Sequence, residues 1–199
     1  MQAHRDIEGD DHAGLDETML QSVELRVSYR QGSEVIRRAL QLTGDQHLGL
    51  RVGARQHPTA WGLIGFALMS ADTLRDAVEA GVRFQDLSGA MVVWSAGEGD
   101  AGFTLWADLP DPALDPAIGT FLVEEAFSSV VTVTRLALGP DFRPRLVEFT
   151  FPAPDDIRPF DDLFGCPVRF TAPRNALVVY GAAPAGGVSD RWASRVLRG

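Results

Sequence analysis

The spacing of apolar residues divides this chain into a helical first half and a second half that mixes strands with helices. Up to about residue 88, apolar positions recur three and four residues apart, which is typical of helices with one buried face. Helices are predicted over 15–26, from an N-cap at Ser33 to a stop at 43–45, over 61–69 and over 74–84, the last capped by 70–72. The small-residue segment Leu48–Gly53 is expected to let two backbones approach closely.

The second half alternates short strands with two helices. Strands are predicted over 91–95 and 102–107, joined by a four-residue turn at 97–100, and over 146–151. A long helix is predicted from Asp115 and Pro116 to Gly139, and a short one over 155–164. A closing hairpin of strands 168–170 and 176–180 follows. The fold class is therefore predicted to be α+β, with N-terminal helices followed by a β-β-α-β-α-β-β antiparallel sheet on which helices pack.

Composition limits the function classes. The 199 residues suit one domain, with 1–14 as a disordered acidic lead, 15–180 as the folded part and 181–199 as a tail or linker. The net charge of −9 disfavours direct binding of nucleic acid. No apolar run reaches about 20 residues and no secretory leader is visible, so no membrane association and a cytoplasmic location are expected. Cys166 is the single cysteine, which excludes an internal disulfide.

The usual catalytic and metal-binding motifs are not found in the sequence. There is no Gly-x-Ser-x-Gly elbow, His-Glu-x-x-His helix or Cys-x-x-Cys pair, and Cys166 has no histidine nearby in sequence. His4 and His12 stand in an acidic stretch whose spacing fits no compact metal site. We therefore expect no enzyme, no metal and no cofactor, with Cys166 as a small structural residue.

The long helix carries polar residues within an apolar element. Glu125 and Ser129 lie on one predicted stripe, and a buried carboxylate there requires a partner or shifts its pKa. Glu125 is the first candidate for contacting a cationic or hydroxylated ligand, and Glu124 is the second. The alternatives are an ion pair with Arg135 or Arg83, or an exposed position. Aromatic residues complete the candidate ligand-binding set, with core packing as their alternative role: Trp61, Phe66, Trp94, Trp106 and Phe121.

Several segments, in order, resemble the N-terminal sensor domain of AraC-type transcriptional regulators, in the subgroup labelled arabinose-binding-like. They are Leu42-Thr-Gly-Asp45, Leu48-Gly-Leu-Arg-Val-Gly53, Gly62-Leu-Ile-Gly-Phe-Ala-Leu-Met-Ser70 with Thr73-Leu74, Val147-Glu-Phe-Thr-Phe-Pro-Ala-Pro154, Leu163-Phe-Gly-Cys-Pro-Val-Arg-Phe170 and Pro173-Arg-Asn-Ala-Leu-Val178. The resemblance covers roughly residues 15–180. Each segment is mainly structural, and their ordered set is what is specific.

The resemblance implies a domain that senses an unknown small-molecule effector, forms a homodimer and regulates transcription. Family members carry a helix-turn-helix after the sensor, and the residues beyond 180 are expected to be too few to form one. Effector identity and target promoter are not implied. The alternative is a stand-alone interaction module that pairs with a full-length regulator.

Overall fold

The structure, a computed structural model, describes residues 28–87 and 89–180, without the side chains of residues 63 and 67. The predicted acidic lead, the predicted helix over 15–26 and the tail over 181–199 lie outside these ranges. The chain divides into two compact units, residues 1–44 and 45–199.

The described part of the first unit is one helix, α1, Tyr29–Thr43. Its N-cap is Ser28, so the prediction of Ser33 as the cap is wrong. Ser28 and Gln31 form a reciprocal capping box: the Ser28 hydroxyl accepts from the Gln31 backbone N–H at 3.3 Å, and the Gln31 side chain accepts from the Ser28 N–H at 3.1 Å. The predicted stop is confirmed, because Gly44 closes the helix in a left-handed conformation with φ 60°.

The second unit contains five α-helices, two short 3-10 helices and five strands among its described residues. The helices are α2 Leu48–Gly53, a 3-10 turn Pro58–Trp61, α3 Gly62–Met69, α4 Leu74–Arg83, a 3-10 turn Gln85–Leu87, α5 Pro116–Leu138 and α6 Arg158–Phe164. The strands are β1 Val93–Gly99, β2 Gly102–Asp108, β3 Leu146–Glu148, β4 Val168–Arg169 and β5 Ala176–Tyr180. The α+β class is therefore confirmed.

The sheet is mixed, with strand order β1-β2-β5-β3-β4. All pairs are antiparallel except β3 and β4, which run parallel, so the purely antiparallel sheet was a wrong prediction. The prediction that β4 and β5 form a closing hairpin is also wrong, because β5 lies between β2 and β3 and does not pair with β4. Asn175 fixes that position: its side chain accepts from the Thr150 N–H at 2.8 Å and donates to the Ala107 carbonyl at 3.2 Å.

Two glycines assigned to a turn belong to a strand instead. β1 continues to Gly99, which pairs with Gly102, so only residues 100–101 form the turn. A Cβ on Gly97 would lie 3.6 Å from the Trp106 ring, and one on Gly99 would lie 3.3 Å from it. Glycine is thus favoured at Gly99, where a Cβ would also come within 2.9 Å of Thr104 Oγ1, whereas the contact at Gly97 is an ordinary van der Waals distance.

The region of α3 and α4 also differs from prediction. Phe66 on α3 is 64% exposed, so the helix predicted as buried over 61–69 leaves one side to solvent. The cap of α4 is Thr73, whose hydroxyl accepts from the Asp76 N–H at 3.0 Å. Ser70 belongs to the end of α3, where its N–H donates to the Phe66 carbonyl at 3.0 Å, so the prediction that residues 70–72 cap α4 is wrong by position.

Helix α5 forms the centre of the second unit, and both of its predicted ends are confirmed. Asp115 caps it by accepting from the Ala117 N–H at 3.0 Å, Pro116 opens it and Gly139 ends it. By length and composition alone the helix could cross a membrane, but 67% of its most apolar window is buried within the protein. That burial is typical of a core helix.

Candidate functional site

Helix α2 lies against α5 at backbone-to-backbone distance. A Cβ on Gly49 would come within 2.4 Å of the Phe121 carbonyl oxygen, and one on Gly53 within 2.4 Å of the Glu125 carbonyl oxygen. Such contacts are far below van der Waals distance, so only glycine fits without moving a helix. The prediction that Leu48–Gly53 permits close backbone approach is confirmed.

Glu124 anchors the start of α2. Its side chain is 1% exposed, and its carboxylate accepts from the backbone N–H groups of Gly49 and Leu50, which belong to the first turn of α2 and have no partner within that helix. Burial raises the pKa of this carboxyl group to about 8, although the two N–H donors oppose the shift. Ser128 adds a second anchor by donating to the Leu50 carbonyl at 2.8 Å.

Glu125 lies next to the end of α2 and forms a different set of contacts. Its Oε1 accepts from Gln56 Nε2 at 3.1 Å and from the Ser129 hydroxyl at 2.7 Å. Burial raises the pKa of Glu125, while the bonds from Ser129 and Gln56 lower it. The structure thus brings Glu125 and Ser129 together, as their shared stripe predicts. It adds Gln56, which no sequence pattern identified.

The predicted ion pairs for Glu125 are not formed. Arg135 donates to the Phe142 carbonyl, shortly after α5, at 3.0 Å. It also donates to the carbonyls of Leu163 at 2.7 Å and Phe164 at 3.3 Å, which lie at the end of α6. Arg83 lies 5.7 Å from the ring of Phe84. Within residues 28–87 and 89–180, Glu125 therefore has neutral hydrogen-bond donors and no cationic partner.

Three of the aromatic candidates, Phe121, Trp94 and Trp106, lie on different surfaces of the second unit. Phe121 shares the face of α5 that carries Glu125 and Ser129, four residues apart each time. Trp94 packs on the sheet side of α5, 6.1 Å from Phe127. Trp106 pairs with Ser95, and Ser95 follows Trp94 in β1, so the side chains of Trp106 and Trp94 lie on opposite faces of the sheet. The Arg174 Cζ lies 5.0 Å from the centre of the Trp106 ring.

The two remaining aromatic candidates belong to the segment after α2. Trp61 is partly buried at the end of the first 3-10 turn, and Phe66 is exposed on α3. The segment is closely packed against itself, since a Cβ on Gly65 would come within 1.8 Å of the Pro58 carbonyl oxygen.

Cys166 and the histidines form no catalytic pair in the described part of the chain. Burial raises the pKa of the Cys166 thiol to about 11, so the thiol is protonated at neutral pH and is a poor nucleophile. His47 is buried and packs edge-on to Phe160, with ring centroids 5.5 Å apart, and its Nδ1 bonds no described group. No cluster of three His, Cys, Asp or Glu residues suited to a metal occurs among the described residues.

Helices packed on a sheet, with polar side chains between α2 and α5, define an α+β domain, and its class follows from comparison with known proteins. Residues 11–183 match the model of the arabinose-binding domain of AraC transcription regulators, N-terminal. The chain belongs to this family, which confirms the resemblance seen in the sequence. The family consists of transcription regulators rather than enzymes.

Known relatives agree with this assignment. The chain is 24% identical over 163 residues to the ornithine utilization regulator of Pseudomonas aeruginosa, covering 82% of this chain and 48% of that protein. It also shares its fold with the transcriptional regulator CdpR from Pseudomonas aeruginosa, with a TM-score of 0.54 and 17% identity over 85% of this chain and 61% of that one. The chain thus spans about half the length of the curated relative that it matches.

Proposed function

We propose that residues 15–180 form the effector-sensing domain of a transcription regulator and that a small cation binds at Glu125. The observation that carries this proposal is a partly buried carboxylate that has two neutral donors and no cation among the described residues. A carboxylate in such surroundings attracts positive charge, because a cation restores the stabilisation of the ionised form that burial removes.

The similarity to a regulator of ornithine utilization supports the cationic class, since ornithine carries a side-chain ammonium group at neutral pH. Phe121 and Ser129 share the helix face of Glu125 and belong to the same proposed site. Trp94 packs against Phe127 and Trp106 lies against Arg174, which supports packing roles for these two residues. Trp61 and Phe66 stay in the proposal as ligand-binding candidates.

The proposed mechanism is differential binding. An effector that binds one arrangement of the domain more tightly than another shifts the population towards it, and the rest of a regulator reads that shift. The proposal includes a cytoplasmic location and a homodimer. The net charge of −9 supports assigning contact with DNA to another part of the regulator or to another chain.

Thermal unfolding of the purified chain tests the ligand. The probes are L-ornithine and 1,4-diaminobutane, with 1,4-butanediol as an uncharged match, each at about 10 mM so that a millimolar ligand still raises Tm. We expect the amines to raise Tm, the diol to leave it unchanged and Glu125→Gln to lose the response. Glu79→Gln, on the exposed side of α4, is the matched control. An equal response to the diol, no response to either amine, or an unchanged response in Glu125→Gln would each contradict the proposal.

The interaction module is the second candidate function, favoured by exposed apolar side chains. Phe66, Phe84, Leu87 and Val93 are all at least 46% exposed. Exposed apolar side chains bind a partner where they lie together on one surface, which is the arrangement that this candidate function requires. Solution mass of the chain alone, and of the chain mixed with a full-length relative, separates a homodimer from a mixed complex, and a monomer in both experiments would exclude both forms of association.

A further inference from the structure

The two hydrogen bonds to Glu125 converge on a single oxygen. Gln56 Nε2 and the Ser129 hydroxyl both donate to Oε1, at 3.1 Å and 2.7 Å. The other oxygen, Oε2, accepts no hydrogen bond from any residue of 28–87 or 89–180. Among the described residues, one oxygen of this carboxylate thus accepts two hydrogen bonds and the other accepts none.

Both donors are held by the surrounding structure. The backbone N–H of Gln56 donates to the Gly53 carbonyl at 3.1 Å, so Gln56 follows directly from α2. Helix α2 is itself fixed on α5 by the Gly53 contact and by the bond from Ser128 to Leu50. Ser129 stands one turn after Glu125 on the same helix. The occupation of Oε1 is thus a property of the fold.

The chemistry of the available oxygen distinguishes two kinds of cation. A primary ammonium is a compact charge that binds well to one carboxylate oxygen. A guanidinium is a planar fork whose strongest contact with a carboxylate uses two parallel N–H donors, one to each oxygen. With Oε1 already accepting two bonds, the fork loses half of its contact, whereas the ammonium loses nothing.

Resting on the proposed function, we propose that Gln56 determines specificity at Glu125, by occupying Oε1 and so selecting primary ammonium ligands over guanidinium ligands. Gln56 acts here as a positioning residue, and the ligand contact is made by Oε2 of Glu125. Removing the Gln56 amide frees a lone pair on Oε1 and restores the two-oxygen face that a guanidinium requires.

Calorimetric titration with two matched dications tests this. The probes are 1,4-diaminobutane and 1,4-diguanidinobutane, which share a four-carbon spacer and differ in their head groups. We expect the wild-type chain to bind the diamine at least about tenfold more tightly, the effect of roughly one charge-assisted hydrogen bond. Gln56→Ala should reduce that ratio to about threefold or less. Gln56→Met, which keeps the side-chain length without a donor, should do the same and serves if Gln56→Ala does not fold.

Gln46→Ala is the matched control, since Gln46 is exposed just before α2 and should leave the ratio unchanged. A wild-type preference for the diguanidine would overturn the inference. So would an unchanged ratio in both Gln56 variants while Glu125→Gln abolishes binding, and the proposed function would then still stand. Binding of neither probe, or binding that Glu125→Gln does not weaken, would instead count against the proposed function itself.

Discussion

Helix α5 has two sides that are packed by different means. On the sheet side it meets a cluster of phenylalanine rings, with Phe127 5.6 Å from Phe149 and Phe149 5.4 Å from Phe160. On the side of α2 it meets glycines, and the contact is completed by hydrogen bonds from or to Glu124, Glu125 and Ser128. The sheet side is stabilised by the burial of apolar rings. The α2 side is stabilised by close backbone packing at glycines and by hydrogen bonds.

The difference shows where the domain can respond to a small molecule. The phenylalanine rings have no polar group to exchange for a ligand atom, although the buried His47 packs against Phe160 at their edge, and their stability depends on the space being filled. The α2 side has two carboxyl groups whose pKa values burial raises, so protons and cations both act on it. A ligand-sensing function therefore fits the α2 side, and the ring cluster is the frame that keeps α5 in place.

The largest effect is expected from the ring cluster. Phe149→Ala removes a fully buried ring that lies within 6.0 Å of Phe164 and within 5.8 Å of Phe170. The free energy of unfolding should fall by about 3–5 kcal/mol because a cavity replaces the ring. Urea titrations at acidic and mildly alkaline pH should give the same loss. A loss that changed with pH would show that the two sides of α5 are coupled.

The next effect concerns Glu124 and depends on pH. Burial raises the pKa of Glu124 from 4.5 to about 8, so within that window the folded protein holds a proton that the unfolded chain has released. Stability attributable to this group falls as pH rises through the window, by about 3 kcal/mol between roughly pH 5.5 and pH 7.5.

Glu124→Gln keeps the shape and an oxygen acceptor for the α2 N–H groups but cannot ionise. The variant should lose this part of the pH dependence and be the more stable protein at about pH 7.5. Urea unfolding of the wild type and of Glu124→Gln, at several pH values between roughly 5.5 and 7.5, measures this difference in pH dependence. Parallel pH curves for wild type and variant would show that Glu124 stays ionised throughout.

A smaller effect is expected from Gly53→Ala. The added Cβ would lie 2.4 Å from the Glu125 carbonyl oxygen and 2.6 Å from Ser128 Cβ, so α2 must shift, at a cost of about 1–3 kcal/mol. Gly81→Ala is the control, because a Cβ there meets only Leu68 Cδ2 at 3.4 Å and alanine favours a helix by about 1 kcal/mol. If both substitutions changed the free energy of unfolding equally, the contact of Gly53 with α5 would be no tighter than the contact of Gly81 with Leu68.

Local signals in the sequence predicted the parts of the fold that depend on local chemistry. Asp115, Pro116 and Gly139 bound α5 because a cap, a first-turn proline and a terminal glycine act within a few residues. The placement of Ala176–Tyr180 could not be obtained in this way. Its neighbours β2 and β3 are distant in the chain, and the decisive bonds from and to Asn175 join residues 25 and 68 positions away.

The candidate site shows the same division. Glu125 and Ser129 are four residues apart on one helix, so a stripe could predict that they meet. Gln56 is 69 positions from Glu125, and nothing in its immediate sequence marks it. The sequence ranked Glu124 after Glu125 as a ligand contact, yet Glu124 is the more deeply buried of the two. Which of two consecutive residues faces inward depends on where α2 packs, and the sequence pattern of α5 does not contain that information.

The central place of β5 has a consequence for how the protein is made. It is the last described strand in the chain, yet it joins the ladder of β1 and β2 to that of β3 and β4. While the ribosome is still synthesising the earlier residues, these two ladders have no bond between them, and their inner edges are open to other chains. The two ladders are joined only through Ala176–Tyr180, so we expect the sheet to be completed late in the synthesis of this domain.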